Sequence, residues 1–143
     1  MDRGSAGVPG SEGSGGDILG LTPRGVAGAA EPRLTVAVRT VGGSAVVAPS
    51  GELDHDTADL LRDPLERSLD AGLGRIVVDC SQLLFCDSTG LNVLLAARLR
   101  AQELGGAVHL AAMRPAVARV FEITGADAVF RLHDSLDEAL AEQ

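Results

Sequence analysis

The sequence predicts an α/β domain with one mixed sheet of four to five strands and about four helices. Two observations support this prediction. From residue 34 onward, short apolar runs typical of strands alternate with longer segments of helical periodicity, and a Gly-Gly pair joins the first two apolar runs. Such an alternation places helical crossovers between parallel strands. We therefore expect an N-terminal hairpin followed by parallel strands, in the order β-β-α-β-α-β-α-β-α.

Residues 1–33 are predicted to form a flexible Gly/Pro/Ser-rich tail. They hold nine of the 18 Gly and three of the six Pro, with few large apolar residues. A segment of this composition buries too little surface to offset the entropy lost on ordering. One domain over residues 34–143, without an internal repeat, is the expected organisation.

The first half of this domain is predicted to contain a hairpin, a helix and a buried strand. Residues 34–41 and 45–48 are the two hairpin strands. Leucines at helical spacing then predict a helix over about 57–71, with a kink at Pro64 in its interior. The continuous apolar run at 75–80 is typical of a strand buried on both faces.

The second half is predicted to alternate three helices with two strands. A helix opens near Ser88 and ends at about Leu104, before the strand 107–112. The next helix starts at Pro115 and ends at 124–125, ahead of a strand over 128–132. A capping box over 135–138 opens the last helix.

The composition excludes several classes of function. The chain has 20 acidic and 12 basic residues, a net charge of −8, and only three aromatic residues, all Phe. It therefore lacks the basic clusters and stacking side chains that bind nucleic acids. Because every basic residue is Arg, lysine Schiff-base catalysis and a phosphate-loop lysine are excluded. No apolar run is long enough to span a membrane and no signal peptide is evident, so we expect a cytoplasmic protein.

The two cysteines are predicted to be small buried hydrophobic residues in a reducing compartment. Cys80 and Cys86 lie six positions apart, and no second pair of Cys or His residues accompanies them. This spacing does not match a zinc site. We therefore expect no metal and no cofactor.

A cluster of small polar residues at 87–90 is the most informative segment of the chain. In an open α/β sheet, ligands and partners engage loops at the carboxyl ends of strands, where helix N-termini present unpaired N–H groups. Ser88 therefore has three possible roles. It could cap the helix while Asp87 complements the helix dipole, act as a nucleophile, or accept a phosphate at a helix end that tolerates anions.

The nucleophile hypothesis is disfavoured by the surrounding residues. A hydrolase elbow requires Gly-x-Ser-x-Gly, whereas Cys86 stands two positions before Ser88. The three histidines lie before the first helix, within a strand and after the last strand, which gives no indication of a Ser/His/acid triad. No catalytic residue is predicted, and the chain is expected not to be an enzyme.

Five short motifs in order resemble the STAS domain, and more narrowly the bacterial anti-sigma factor antagonists of the sporulation and stress-response type. The motifs are Gly-Glu-Leu-Asp at 51–54, Val-Val-Asp at 77–79, Phe-Cys-Asp-Ser-Thr-Gly-Leu at 85–91, Gly-Gly at 105–106 and Phe-Glu-Ile-Thr-Gly at 121–125. The resemblance implies a STAS fold and a partner-switching function. In that family the unphosphorylated antagonist binds an anti-sigma factor, which is also a serine kinase of the GHKL type, and so frees the sigma factor. Phosphorylation by this kinase switches binding off, and a phosphatase restores it.

The resemblance also assigns roles to individual residues. It implies that Ser88 is the phosphoacceptor and that Asp87, Thr89 and Gly90 shape the loop around it. Asp54 is expected at the docking surface. The family resemblance also leaves room for a second function, a structural or scaffolding STAS subunit of a transport or signalling assembly without kinase control.

The helix that follows Ser88 presents two apolar rows. One is a predicted core stripe, formed by Leu94, Ala97, Ala101 and Leu104. A second row, formed by Leu91, Leu95 and Leu99, lies about a quarter-turn away. Two hypotheses remain open for this row: it packs beneath a neighbouring helix, or part of it forms an apolar docking strip beside Ser88.

Overall fold

A computed structural model describes residues 33–142 of the chain, so the predicted tail lies outside the described residues except for Arg33. The described part contains six strands and four helices. Their bounds are β1 Leu34–Val41, β2 Ser44–Leu53, α1 Ala58–Asp70, β3 Arg75–Asp79, β4 Leu83–Cys86, α2 Ser88–Glu103, β5 Ala107–Ala111, α3 Pro115–Thr124, β6 Arg131–His133 and α4 Leu136–Ala141.

All six strands belong to one mixed sheet. The main order is β1-β2-β3-β5-β6, and β4 pairs with β2 beyond the end of β3. Only the β1–β2 hairpin is antiparallel, and every other pairing is parallel. This confirms the predicted hairpin, the parallel strands and the four helices.

The sixth strand, β4, is one more than the sequence predicts. It extends the sheet beside the end of β2, with Glu52 opposite Phe85 and Leu53 opposite Cys86. Its four residues are too few to show a period of two, and its burial pattern is irregular because only the two end residues are buried. From the sequence alone, β4 is therefore indistinguishable from an apolar segment that precedes the next helix.

The predicted strand over 128–132 is misplaced. A 3₁₀ turn covers Ala126–Ala128, and the strand β6 begins only at Arg131. The apolar residues before it serve the core instead, since the buried Phe130 packs against Phe121 with ring centroids 5.7 Å apart. Packing of the aromatic ring thus determines where the strand begins.

Helices cover both faces of the sheet. The large core lies beneath α1, α2 and α3, and its fully buried side chains include Leu53, Leu61, Leu94 and Phe121. A smaller cluster of Val77, Ala111 and Ala139 lies on the other face, beneath α4. The helix α1 continues through Pro64, which is buried.

Two further sequence predictions are tested by burial. Leu104 was expected in the core stripe of α2 but is 51% exposed, because α2 ends at Glu103 and Leu104 is its C-cap. Cys80 and Cys86 are free and buried, as predicted. Burial raises the pKa of each thiol to about 12, so both stay protonated and unreactive near neutral pH.

Among residues 33–142, none of the helices has the length and apolar character that a bilayer span requires.

Candidate functional site

Asp87 organises the start of α2. Its Oδ1 accepts a hydrogen bond from the Gly90 N–H at 2.9 Å, which makes it the N-cap of the helix. Its Oδ2 accepts a second bond from the His55 N–H at 3.2 Å. The Asp87 N–H in turn donates to the Leu53 carbonyl at 3.1 Å. One residue therefore ties the first turn of α2 to the loop between β2 and α1.

Ser88 is the first residue of α2, and its side chain is exposed. The cap hydrogen bond comes from Asp87, so the hypothesis that Ser88 caps the helix is wrong. Within residues 33–142, the Ser88 hydroxyl makes no hydrogen bond. The hydroxyl is therefore free to react at a helix end that favours negative charge.

Gly90 allows the first turn of α2 to lie directly on the core. A Cβ at this position would lie 2.5 Å from Cγ of Leu53 and 3.2 Å from Sγ of Cys86, and both of those residues are buried. A side chain would therefore push α2 away from β2. Thr89, between Ser88 and Gly90, is half-buried. The four residues 87–90 thus form one turn whose only fully exposed side chain is Ser88.

Asp54 holds the β2–α1 loop closed. Its Oδ1 accepts hydrogen bonds from the backbone N–H of Asp56 at 2.9 Å and of Thr57 at 3.2 Å. Its carboxylate also pairs with the Arg33 guanidinium, which reaches Asp56 as well at 3.0 Å. Hydrogen bonding from Arg33 lowers the pKa of Asp54 below its ordinary value of 3.8. The side chain is only 13% exposed, so within this chain it acts as a loop-closing group.

A surface cleft lies beside Ser88, between α2 and the end of α3. Its volume is about 340 Å³. The residues that line it are Ser88, Leu91, Asn92, Leu95, Thr124, Gly125, Ala126 and Val129. Ser88 therefore lies at the rim of a mainly apolar depression.

The three leucines of the second apolar row of α2 differ in burial. Leu91 is buried, with 5% exposure, and Leu95 is half-buried against the core. Leu99 is 56% exposed. Side-chain exposure therefore increases along the row, from Leu91 in the core to Leu99 at the surface. Leu95 is not fully buried, and it lines the cleft beside Ser88.

Several large apolar side chains near the site are exposed and are not among the site residues that the sequence predicts. Leu84 and Phe85 of β4 are 53% and 48% exposed, and Val129 in the cleft is 41% exposed. Ile123, in the last turn of α3, is 74% exposed. Leu84 and Phe85 lie in the strand that the sequence did not reveal.

The STAS domain family model matches residues 35–139, most of the described chain. This chain belongs to the STAS domain family. The turn at residues 87–90 and the residues that line the adjoining cleft lie within the matched range.

Known STAS proteins resemble this one over most of their length. The chain is 31% identical over 101 residues to an anti-sigma F factor antagonist from Paenibacillus polymyxa, covering 70% of this chain and 86% of that protein. It is 30% identical to the anti-sigma-F factor antagonist RsfB from Mycobacterium tuberculosis, covering 75% of this chain and 87% of that protein. A crystal structure of an anti-sigma factor antagonist from Mycobacterium paratuberculosis superposes on this STAS domain with a TM-score of 0.69 at 33% identity. That match covers 75% of this chain and 91% of the other.

Proposed function

We propose that this STAS protein is an anti-sigma factor antagonist. In its unphosphorylated form it binds an anti-sigma factor that carries GHKL-type serine kinase activity, and the sigma factor is thereby released. The names of its relatives from Paenibacillus and Mycobacterium support the assignment, since each is an anti-sigma factor antagonist. The geometry around Ser88 supports a switch by phosphorylation.

The free Ser88 hydroxyl is the observation that carries this proposal. Asp87 already satisfies the Gly90 N–H, so the helix cap does not depend on the serine. A phosphate on Ser88 would bring roughly −1.5 to −2 charges and three acceptor oxygens to an exposed position. The positive end of α2 accommodates such a group without unfolding the domain. Phosphorylation would therefore change what the surface binds and leave the fold intact.

The cleft beside Ser88 explains why a phosphate would weaken docking. A partner that inserts an apolar side chain between Leu95 and Val129 must bring its own surface against the rim where Ser88 lies. A phosphate at that rim would lose water on docking, and burying an unpaired charge is costly. The Asp87 carboxylate adjoins it, so a partner must also tolerate two neighbouring negative groups.

The remaining predicted site residues have supporting roles in this proposal. Asp87 and Gly90 fix the turn that presents Ser88, and Thr89 lies between them. Leu91 supports the cleft from below, and Leu95 forms part of its lining. Asp54 fixes the β2–α1 loop, to which Asp87 is bonded through His55.

The antagonist is the substrate in this cycle and supplies no catalytic group. The kinase holds the ATP, and a phosphoserine phosphatase returns the protein to its binding form. Neither step requires a cofactor bound to the STAS domain.

The site assignment is tested by phosphorylation with the anti-sigma factor that co-purifies with this protein. The untagged chain is incubated with that factor and Mg-ATP, and its peptides are mapped by mass spectrometry. We expect phosphate on the peptide that contains Ser88, none after Ser88→Ala, and normal modification of Thr89→Val. Phosphate that persists in Ser88→Ala but disappears in Thr89→Val would transfer the role to the neighbouring hydroxyl and contradict the proposal.

A further inference from the structure

Two histidines and a glutamate meet on the sheet face covered by α4, among residues that the proposed function does not use. His109 lies in β5, and His133 is the last residue of β6. His133 pairs with Ala111, two residues beyond His109, so the two histidines lie on the same face of the sheet. His109 is 4% exposed, and the His133 side chain is 11% exposed. Glu142 follows α4 and turns its carboxylate toward both rings. Residues 24 and 9 positions apart in the sequence therefore converge at one point.

The three donor atoms form a small triangle. Nδ1 of His109 lies 2.9 Å from Nε2 of His133 and 3.3 Å from Oε1 of Glu142. The third side, from Nε2 of His133 to Oε1 of Glu142, is 3.6 Å. A tetrahedral Zn²⁺ with ligands at about 2.0–2.1 Å places neighbouring donor atoms about 3.3 Å apart. The observed sides bracket that value.

We propose that His109, His133 and Glu142 form a binding site for a divalent transition-metal ion of the Zn²⁺ type. Two imidazole nitrogens and one carboxylate oxygen are a ligand set that zinc uses in proteins, with the fourth position left to water. A surface cleft of about 260 Å³, lined in part by Arg75, His109 and Arg131, adjoins the cluster and gives solvent access.

Without a cation, the three facing atoms are held by two hydrogen bonds: one joins the two rings, and Arg131 donates to Oε1 of Glu142 at 3.1 Å. A neutral imidazole carries one N–H and one lone pair, so a single proton between the rings joins the two histidines. A cation that binds here replaces this shared hydrogen, which moves to the outer nitrogen of the donating ring. A metal ion at the centre accepts electron density from all three atoms at once.

The surrounding arginines hold the chain near Glu142 over the two rings. Arg75 donates to the carbonyls of Ala139 and Glu142 and so fixes the chain end over the sheet. Arg131 is 64% exposed and can turn toward solvent as a cation enters.

The test is metal binding by the full-length, untagged protein after removal of metal ions with a chelator. Calorimetric titration with ZnCl₂ is expected to give one ion per chain, and Co²⁺ is expected to produce visible absorption of a low-coordinate site. His133→Gln and Glu142→Gln should each weaken zinc binding at least about tenfold. The matched controls His55→Gln and Glu122→Gln remove a histidine and a glutamate elsewhere and should bind as the wild type does.

Folding of each variant is verified by circular dichroism. Glu142→Gln alters only the end of the chain and so gives the result independently if His133→Gln is unstable. Zinc should also raise the Tm of the wild type but not that of Glu142→Gln. Absence of zinc binding to the wild type, or equal binding by Glu142→Gln, would overturn the proposal and leave a proton-sharing histidine pair. Loss of binding in His55→Gln alone would place the ion at the exposed loop of Asp54, His55 and Asp56 instead.

Discussion

The carboxylate of Asp87 accepts a hydrogen bond from the backbone N–H of His55, 32 residues earlier in the chain, at 3.2 Å. The same carboxylate caps α2 through the Gly90 N–H. The turn that presents Ser88 and the loop that contains Asp54 are thus held together by one side chain. Asp87 is therefore a positioning residue for the surface around Ser88.

Asp87→Ala is predicted to destabilise the domain by about 1–2 kcal/mol, because it removes an N-cap and leaves two backbone N–H groups unpaired. Asp87→Asn should recover most of this loss, since asparagine is an equally good cap. Urea unfolding monitored by circular dichroism measures the free energy of unfolding of both variants. A wild-type midpoint for Asp87→Ala would show that the cap does not stabilise this turn.

Arg33→Gln is predicted to raise the pKa of Asp54. Arg33 lowers that pKa through a hydrogen bond and ionic attraction, so the ionised form is favoured in the folded protein. Because the folded-state pKa lies below the ordinary value of 3.8, the pair stabilises the fold above that pH. Its contribution is lost as the pH falls through the lowered pKa. NMR titration of the Asp54 carboxyl carbon checks the shift, with the exposed Asp63 as a reference carboxylate. An unchanged Asp54 titration in Arg33→Gln would contradict it.

Much of the fold follows from the sequence because the hydrophobic periodicity agrees with the turn and capping residues that begin and end the elements. The leucines of α1, the Gly-Gly turn of the β1–β2 hairpin and the capping box of α4 each predict an element that the structure contains. The failures occur where tertiary packing prevails over local pattern. Phe130 leaves its predicted strand to pack on Phe121, and Leu83–Cys86 becomes a strand only because β2 offers an edge.

In the candidate site too, local motifs can be predicted from the sequence, whereas contacts between distant residues cannot. The segment Asp87–Gly90 is recognisable from its small polar residues ahead of an apolar helix. The bond from His55 to Asp87 and the triangle of His109, His133 and Glu142 depend on contacts across the fold. No spacing in the sequence reports them, since the ligand atoms come from two strands and the end of the chain.

Val129→Glu is predicted to weaken binding to the anti-sigma factor at least about tenfold, which corresponds to about 1.4 kcal/mol. Val129 lines the cleft beside Ser88 and is 41% exposed, so a charge there meets the docked partner while the core remains intact. The matched control is Leu104→Glu, which places the same charge on an exposed leucine at the other end of α2. Surface plasmon resonance measures both affinities. Equal effects of the two substitutions would show that the cleft is not the docking site.

The switch at Ser88 is tested most directly by the affinity of the anti-sigma factor for the two forms of the protein. The chain is prepared unphosphorylated and with phosphoserine incorporated at position 88, and Kd is measured by calorimetry with each form. We predict that the phosphorylated form keeps its circular dichroism spectrum and binds at least about tenfold more weakly. Equal Kd values for the two folded forms would contradict control by phosphorylation of Ser88.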